Sequence, residues 1–126
     1  MLCKQSKVYP CDNTGIKKGR CIQVYKNISK VASISDLLLF SIMKVKYKKK
    51  YIKKKLYIGL VVSVKKKKRR LDGTFLKLFN NRVIVLSETF KFLGSKVKGP
   101  ISREVRDTKA KRLKFKGVFK YTKGYI

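Results

Sequence analysis

Six carboxylates, three thiols and no imidazole are the groups this chain offers for acid–base, nucleophilic or metal chemistry. General acid–base catalysis near neutral pH needs groups that titrate there. The acids are Asp12, Asp36, Asp72, Glu88, Glu104 and Asp107, and several already have local structural roles in turns or at a helix start. The cysteines, Cys3, Cys11 and Cys21, are odd in number and form no CxxC pair, which argues against both a disulfide framework and a zinc site. Reduced thiols are expected, with Cys21 a core residue beside Ile22 and Val24. The sequence holds no glycine-rich phosphate loop, no Ser-His-Asp set and no metal cluster. The expectation is a protein that binds: no enzyme, no catalytic residue, no cofactor and no metal.

What it binds follows from the cations. Lysine and arginine number 35, giving a formal net charge of +29. Solubility is reached at a far smaller charge, and the self-repulsion of such a chain calls for a polyanion, most commonly nucleic acid. The basic residues cluster in two runs, one from Lys44 to Lys55 interleaved with Tyr47 and Tyr51, the other Lys65 to Lys68 continued by Arg69 and Arg70. Ammonium groups in such runs neutralise phosphates and tyrosines stack on bases, so recognition would rest on RNA shape and backbone rather than on base sequence.

Elements are needed to hold those runs in place. Hydrophobic residues make up 44% of the 126 residues, enough for a small core, and the length fits one domain. We read one domain over 1–126, with a barrel over about 5–90 and a helical and basic segment over about 91–126. Alternation and β-branched residues predict strands at 20–26, 37–47, 56–64, 74–79 and 83–86, and five short strands predict a small closed β-barrel in a mainly β fold. The basic runs flank the strand at 56–64, which places them on loops or a protruding hairpin. Asp12-Asn13-Thr14-Gly15 and Leu71-Asp72-Gly73-Thr74 have the residue types of tight turns. After Gly99-Pro100 a helix is expected, with Ser102 as its cap, Ile101 and Val105 on one face and Glu104 in the first turn. Phe40, Phe75 and Phe79 are read as core. The longest apolar stretch, around Leu37 to Phe40, is too short to cross a bilayer. The first residues show neither a secretory nor an import signal, so none is expected.

Asp12-Asn13-Thr14-Gly15, Cys21-Ile22-Gln23-Val24, Asp36-Leu37-Leu38, Gly59-Leu60-Val61-Val62, Arg69-Arg70-Leu71-Asp72-Gly73, Asn81 and Gly99-Pro100-Ile101-Ser102-Arg103-Glu104-Val105-Arg106 occur in an order and at spacings that resemble the universal large-subunit ribosomal protein L-fourteen family. The resemblance runs from about residue 5 to about residue 115. It implies a five-stranded β-barrel with a projecting basic hairpin and short C-terminal helices, bound to large-subunit rRNA near the subunit interface. The implied partners are neighbouring proteins of the L-three and L-nineteen families, small-subunit rRNA across an intersubunit bridge, and a ribosome silencing factor, with no membrane. Carried onto matching positions, the rRNA-binding set is Lys44, Lys48, Lys49, Lys50, Lys53, Arg69, Arg70, Arg103 and Arg106, joined by Lys65 and Lys66 of the second basic run. Ser95 and Lys96 mark the subunit-facing edge. This chain has Ser35 where the family usually has glycine and Leu78 where it usually has an aromatic, both read as conservative for packing. It has Lys98 where the family favours phenylalanine, which changes that surface, and its tail from Lys111 to Ile126 is more basic than the usual ending.

The rival reading is a freestanding single-stranded nucleic-acid binder on an OB-like barrel, its seven tyrosines and seven phenylalanines acting as stacking platforms. A membrane-surface protein would need an amphipathic helix of fair length, and none is apparent. Abundant lysine, isoleucine, tyrosine and phenylalanine with scarce alanine, proline, tryptophan and histidine looks like the product of an AT-rich gene. The expected location is therefore a mitochondrion, with a plastid or a bacterial cytoplasm as the alternatives.

Overall fold

Leu38, Phe40 and Ile42 are enclosed while Leu37, Leu39 and Ser41 between them are half-exposed, the alternation of a strand with one face on a core. They belong to β3 (Leu37–Val45) of a computed structural model that describes residues 2–26, 30–46, 55–108, 122 and 124–126. The other elements are β1 (Lys7–Pro10), β2 (Ile16–Val24), β4 (Leu56–Ser63), β5 (Lys68–Arg69), β6 (Phe75–Leu76), β7 (Arg82–Leu86) and α1 (Glu104–Thr108). Strands β1, β2, β3, β4 and β7 form a closed barrel, and β5 pairs with β6 in a separate two-stranded hairpin. All barrel pairings are antiparallel except β1 with β7, where Tyr9 lies against Arg82 and Pro10 against Val83. The fold is thus mainly β with one short helix among the described residues.

The five-membered barrel is the expected one, but one stave differs. The segment 74–79 is not in the barrel. Its place is taken by Lys7–Pro10, and 75–76 instead folds back on Lys68–Arg69 across the Asp72-Gly73 turn. Only Leu76 of that segment is buried, so Phe75 at 56% and Phe79 at 90% exposure are surface rings, not core. Phe40 is core as expected, at 0%. A bulge in β2 between Cys21 and Gln23 turns Ile22 outward between the buried Cys21 and Val24.

Phe40 fills the barrel because two neighbours lack side chains. A Cβ at Gly19 would overlap its ring, and one at Gly59 would lie 3.2 Å from it. The enclosed core also includes Val8, Leu60, Val61, Val83 and Val85, all nearly or fully buried. Asp12 ties the first turn to β7, the strand beside β1. One carboxylate oxygen accepts from the Thr14 amide at 3.1 Å and from the Thr14 hydroxyl, and the other accepts from the Val85 amide at 2.9 Å. Burial raises its carboxyl above the ordinary aspartate value, and these hydrogen bonds pull against that rise.

Two expectations about serines are corrected. Ser102 does not cap α1 with its hydroxyl, which is buried without a hydrogen-bond partner among the described residues. The residue is drawn against β4 by its amide, which donates to Val62 at 3.4 Å, and the first turn is closed by its carbonyl, which accepts from the Val105 amide at 3.1 Å. Ile101 and Val105 do face the core together. Ser35 is not merely a packing substitute for glycine, since its φ is 76°, in the left-handed region that favours glycine. It is held there by its amide, which donates to Val61 at 2.8 Å, and by its hydroxyl on the Glu104 carbonyl at 3.3 Å.

Candidate nucleic-acid interface

The loop that leaves β4 carries Lys65, Lys66 and Lys67 away from the barrel and is fixed at its root. The Lys65 amide donates to the Asn81 side-chain oxygen at 3.0 Å, and the Ser63 hydroxyl donates to the Asn80 carbonyl at 2.5 Å. Asn81 is itself bound to β1, its carbonyl accepting from the Tyr9 amide at 2.9 Å. Beyond the loop, the β5–β6 hairpin turns on Asp72, which accepts from the Thr74 amide at 3.1 Å and hydroxyl at 2.6 Å, with Gly73 at φ 84°. Those two hydrogen bonds hold the Asp72 carboxyl below its ordinary range.

Within this region the acids are already engaged. Arg70 grips Glu104 through Nε at 2.8 Å and Nη2 at 3.2 Å, and the same Nη2 donates to the main-chain oxygen of Ile126 at 2.7 Å. The Arg70 hydrogen bond lowers the Glu104 carboxyl below its ordinary value despite partial burial. Lys68 stands 3.8 Å from Glu104, and Arg103 donates to Asp72 at 3.2 Å. Lys65, Lys66, Lys67 and Arg69 are left without a carboxylate in reach among the described residues. The Lys67 ammonium sits 3.9 Å over the ring of Phe75.

A second cationic stretch lies across β2 and β3. Lys18 is directly opposite Lys44 in the ladder, and Lys17, Arg20 and Lys46 are exposed nearby in sequence. Like charges opposed across strands destabilise a sheet unless something neutralises them. Lys44, one of the expected set, is exposed at this position. Lys48, Lys49, Lys50 and Lys53 lie outside the described residues. Arg106 is exposed on α1. Ser95 and Lys96 are exposed on a loop locked to the first turn by Asn13, whose side-chain oxygen accepts from both of their amides at 2.8 and 3.2 Å and whose amide nitrogen donates to the Ser95 hydroxyl at 2.6 Å. The described part of the expected set thus divides into cations with no carboxylate in reach among the described residues (Lys44, Lys65, Lys66, Arg69, Arg106), cations with an internal partner (Arg70, Arg103) and a rigid polar edge.

Sequence reasoning passed over Lys18 and read Phe79 as core. Only register reveals the first, and the alternation Phe75-Leu76-Lys77-Leu78-Phe79 disguised the second as a strand residue. Leu78 is half-buried against the core, consistent with its reading as a packing substitute. The buried thiols are inert, with burial pushing Cys11 up to about 12 and Cys21 to about 11. An apolar groove lined by Tyr25, Leu39, Leu56, Tyr57, Ile58 and Leu93 runs along the barrel wall. Among the described residues no helix is long and apolar enough to cross a membrane, and no group of three potential metal ligands occurs.

The chain is similar to known proteins over most of its length. The family model for ribosomal protein L14p/L23e matches residues 1–116. The large ribosomal subunit protein uL14 of Hydrogenobaculum sp. (strain Y04AAS1) is 33% identical over 107 residues, covering 85% of this chain and 88% of that protein. Both matches cover most of the chain, and it belongs to the ribosomal protein L14p/L23e family, structural proteins of the large ribosomal subunit and not enzymes.

Proposed function

We propose that the chain binds large-subunit rRNA through two cationic regions, the loop and hairpin from Lys65 to Arg69 and the β2–β3 end carrying Lys18 and Lys44, the latter continued by Lys48, Lys49, Lys50 and Lys53. The observation that carries this reading is the set of cations left without carboxylates on a loop whose root is fixed to the barrel. A fixed loop loses little entropy when it docks, so its charges act on phosphates already in position. Arg106 adds a further phosphate contact. Arg103 and Arg70 contribute by holding the hairpin against α1, with Arg103 the more accessible of the two.

Ser95 and Lys96 form the edge that meets small-subunit rRNA in an intersubunit bridge, and the same edge is where a ribosome silencing factor would dock. Asn13 supports this role by fixing the backbone of both residues. The apolar groove on the barrel wall suits a neighbouring protein, of the L-three or L-nineteen family, better than it suits RNA. The composition of the chain favours a mitochondrial ribosome as its location.

The test is sedimentation of a native lysate from fractionated cells, with the chain traced through the gradient before and after RNase. Co-migration with large subunits of the mitochondrial fraction, lost on RNase treatment, is expected. A chain confined to light fractions would return it to the freestanding nucleic-acid binder, and co-migration in another compartment would overturn the location alone.

A further inference from the structure

We infer that Phe79 is a stacking platform for one unpaired nucleobase. This rests on the RNA-binding reading above and specifies it, since phosphate contacts alone do not distinguish single strands from duplex. Three observations carry the inference.

The first is exposure. Phe79 is 90% exposed, and no ring or cation covers it among the described residues, whereas the ring of Phe75 already carries the Lys67 ammonium. The second is rigidity. The residues that follow Phe79 are clamped, Asn80 by the Ser63 hydroxyl at 2.5 Å and Asn81 by the Lys65 amide at 3.0 Å and the Tyr9 amide at 2.9 Å. A ring presented from a fixed backbone offers its faces with little left to order on binding. The third is charge. These same hydrogen bonds run the 79–81 segment alongside 63–65, so the ring is rooted beside the start of the free lysines, and Lys77 is exposed two residues away. A polyanion is drawn to that position, and an apolar protein surface has no counterpart for the surrounding ammonium groups. A lone ring among cations matches a base and its flanking phosphates, the combination found where proteins hold single-stranded nucleic acid.

The chain contains no tryptophan, so F79W introduces a single reporter at the site. Full-length chains would be titrated with an oligoadenylate and, separately, with a blunt RNA duplex. The expected results are quenching of the F79W emission by oligoadenylate, and a loss of oligoadenylate affinity of about tenfold in F79A, the scale of one stacked base. F79Y should retain affinity and F79L should behave as F79A, while duplex affinity stays unchanged in all of them. Normal duplex binding with no quenching and no loss in F79A would overturn this inference and leave the RNA reading standing. Equal affinity in F79L and F79Y would also overturn it, pointing to a generic apolar contact of the kind a protein makes. Failure of the unsubstituted chain to bind either RNA would remove the RNA reading and this inference with it.

Discussion

Arg69 and Arg70 are adjacent in sequence and should behave as opposites when removed. Arg69 is exposed on β5 with no carboxylate in reach among the described residues, whereas Arg70 is bound twice to Glu104 and once to the main-chain oxygen of Ile126. A cation that neutralises a phosphate releases counterions, contributing roughly 0.7 to 0.9 to the slope of log affinity against log salt. Between about 50 and about 200 mM salt, one such contact changes affinity by about threefold. Arg69→Gln should therefore flatten the slope by one contact and leave the unfolding midpoint in urea where it was. Replacing Lys65, Lys66 and Arg69 together should flatten it by about 2 to 3, so that the salt-induced loss over the same range shrinks by about 20- to 40-fold. Arg70→Gln should leave the slope nearly unchanged and lower the urea midpoint, because it detaches the hairpin from α1 and leaves Glu104 with only Lys68 of the two cations shown. Fluorescence anisotropy of a labelled rRNA fragment over a salt series, with urea melts of the same proteins, measures both quantities. A slope change in Arg70→Gln equal to that in Arg69→Gln, with an unaltered midpoint, would refute the division into free and internally paired cations.

Gly19→Ala should destabilise the barrel by about 1 to 3 kcal/mol, because the added methyl overlaps the enclosed ring of Phe40, and Gly59→Ala should cost less, its nearest contact being 3.2 Å. Urea midpoints of the two variants, together with partial rescue of Gly19→Ala by Phe40→Leu, check the ranking. Asp12→Asn can offer only one acceptor oxygen to the two amides that the carboxylate now serves, so a loss of about 1 to 3 kcal/mol is expected in the same melts. The pH dependence has a definite sign at Glu104. Its folded value lies below the ordinary 4.5, so the stability it contributes is present above that pH and is lost as pH falls through the lowered value. Thermal melts from about pH 6 to about pH 3 should therefore decline less steeply in Glu104→Gln; the difference between the two chains isolates Glu104 from Asp12, whose raised carboxyl acts with the opposite sign.

Strands were legible where one face differed from the other. The alternation of Leu37 to Val45 marks β3 because its two faces meet different surroundings, core and outside. Lys7–Pro10 carries no such signal. Four residues become a barrel stave only through distant pairings, Lys7 with Arg20 and Tyr9 with Arg82, and no local window contains those partners. The opposite error at 74–79 has a related cause. Phe75-Leu76-Lys77-Leu78-Phe79 alternates well enough for a strand, but the tight Asp72-Gly73 turn returns it to a two-residue partner, and its aromatic face meets no second layer. At the site, charge was legible and accessibility was not. Arg69 and Arg70 differ only in what three-dimensional neighbours they meet, and Ser35 holds a left-handed, glycine-type backbone angle that no packing argument contains.

Four carboxylates help to explain how so cationic a chain holds its fold. Asp12 joins a turn to β7, Asp36 accepts from the Ser33 amide and hydroxyl at 2.8 Å each and from Lys26 at 3.1 Å, Asp72 shapes the hairpin turn, and Glu104 docks α1 on Arg70. Placed this way, these four acids stabilise architecture, and among the described residues none of them pairs with Lys65, Lys66, Lys67 or Arg69. Lys18 and Lys44 face each other across the β2–β3 ladder without a carboxylate in reach among the described residues, a pairing that an external anion would relieve. A ligand that binds only the folded chain stabilises it by mass action. A polyanion on this surface would do so twice over, through its contacts and by relieving repulsion built into the register. On that account the stability of the barrel and its affinity for RNA are parts of one linked equilibrium, and a charge removed from the β2–β3 ladder should stabilise the free protein while weakening the complex.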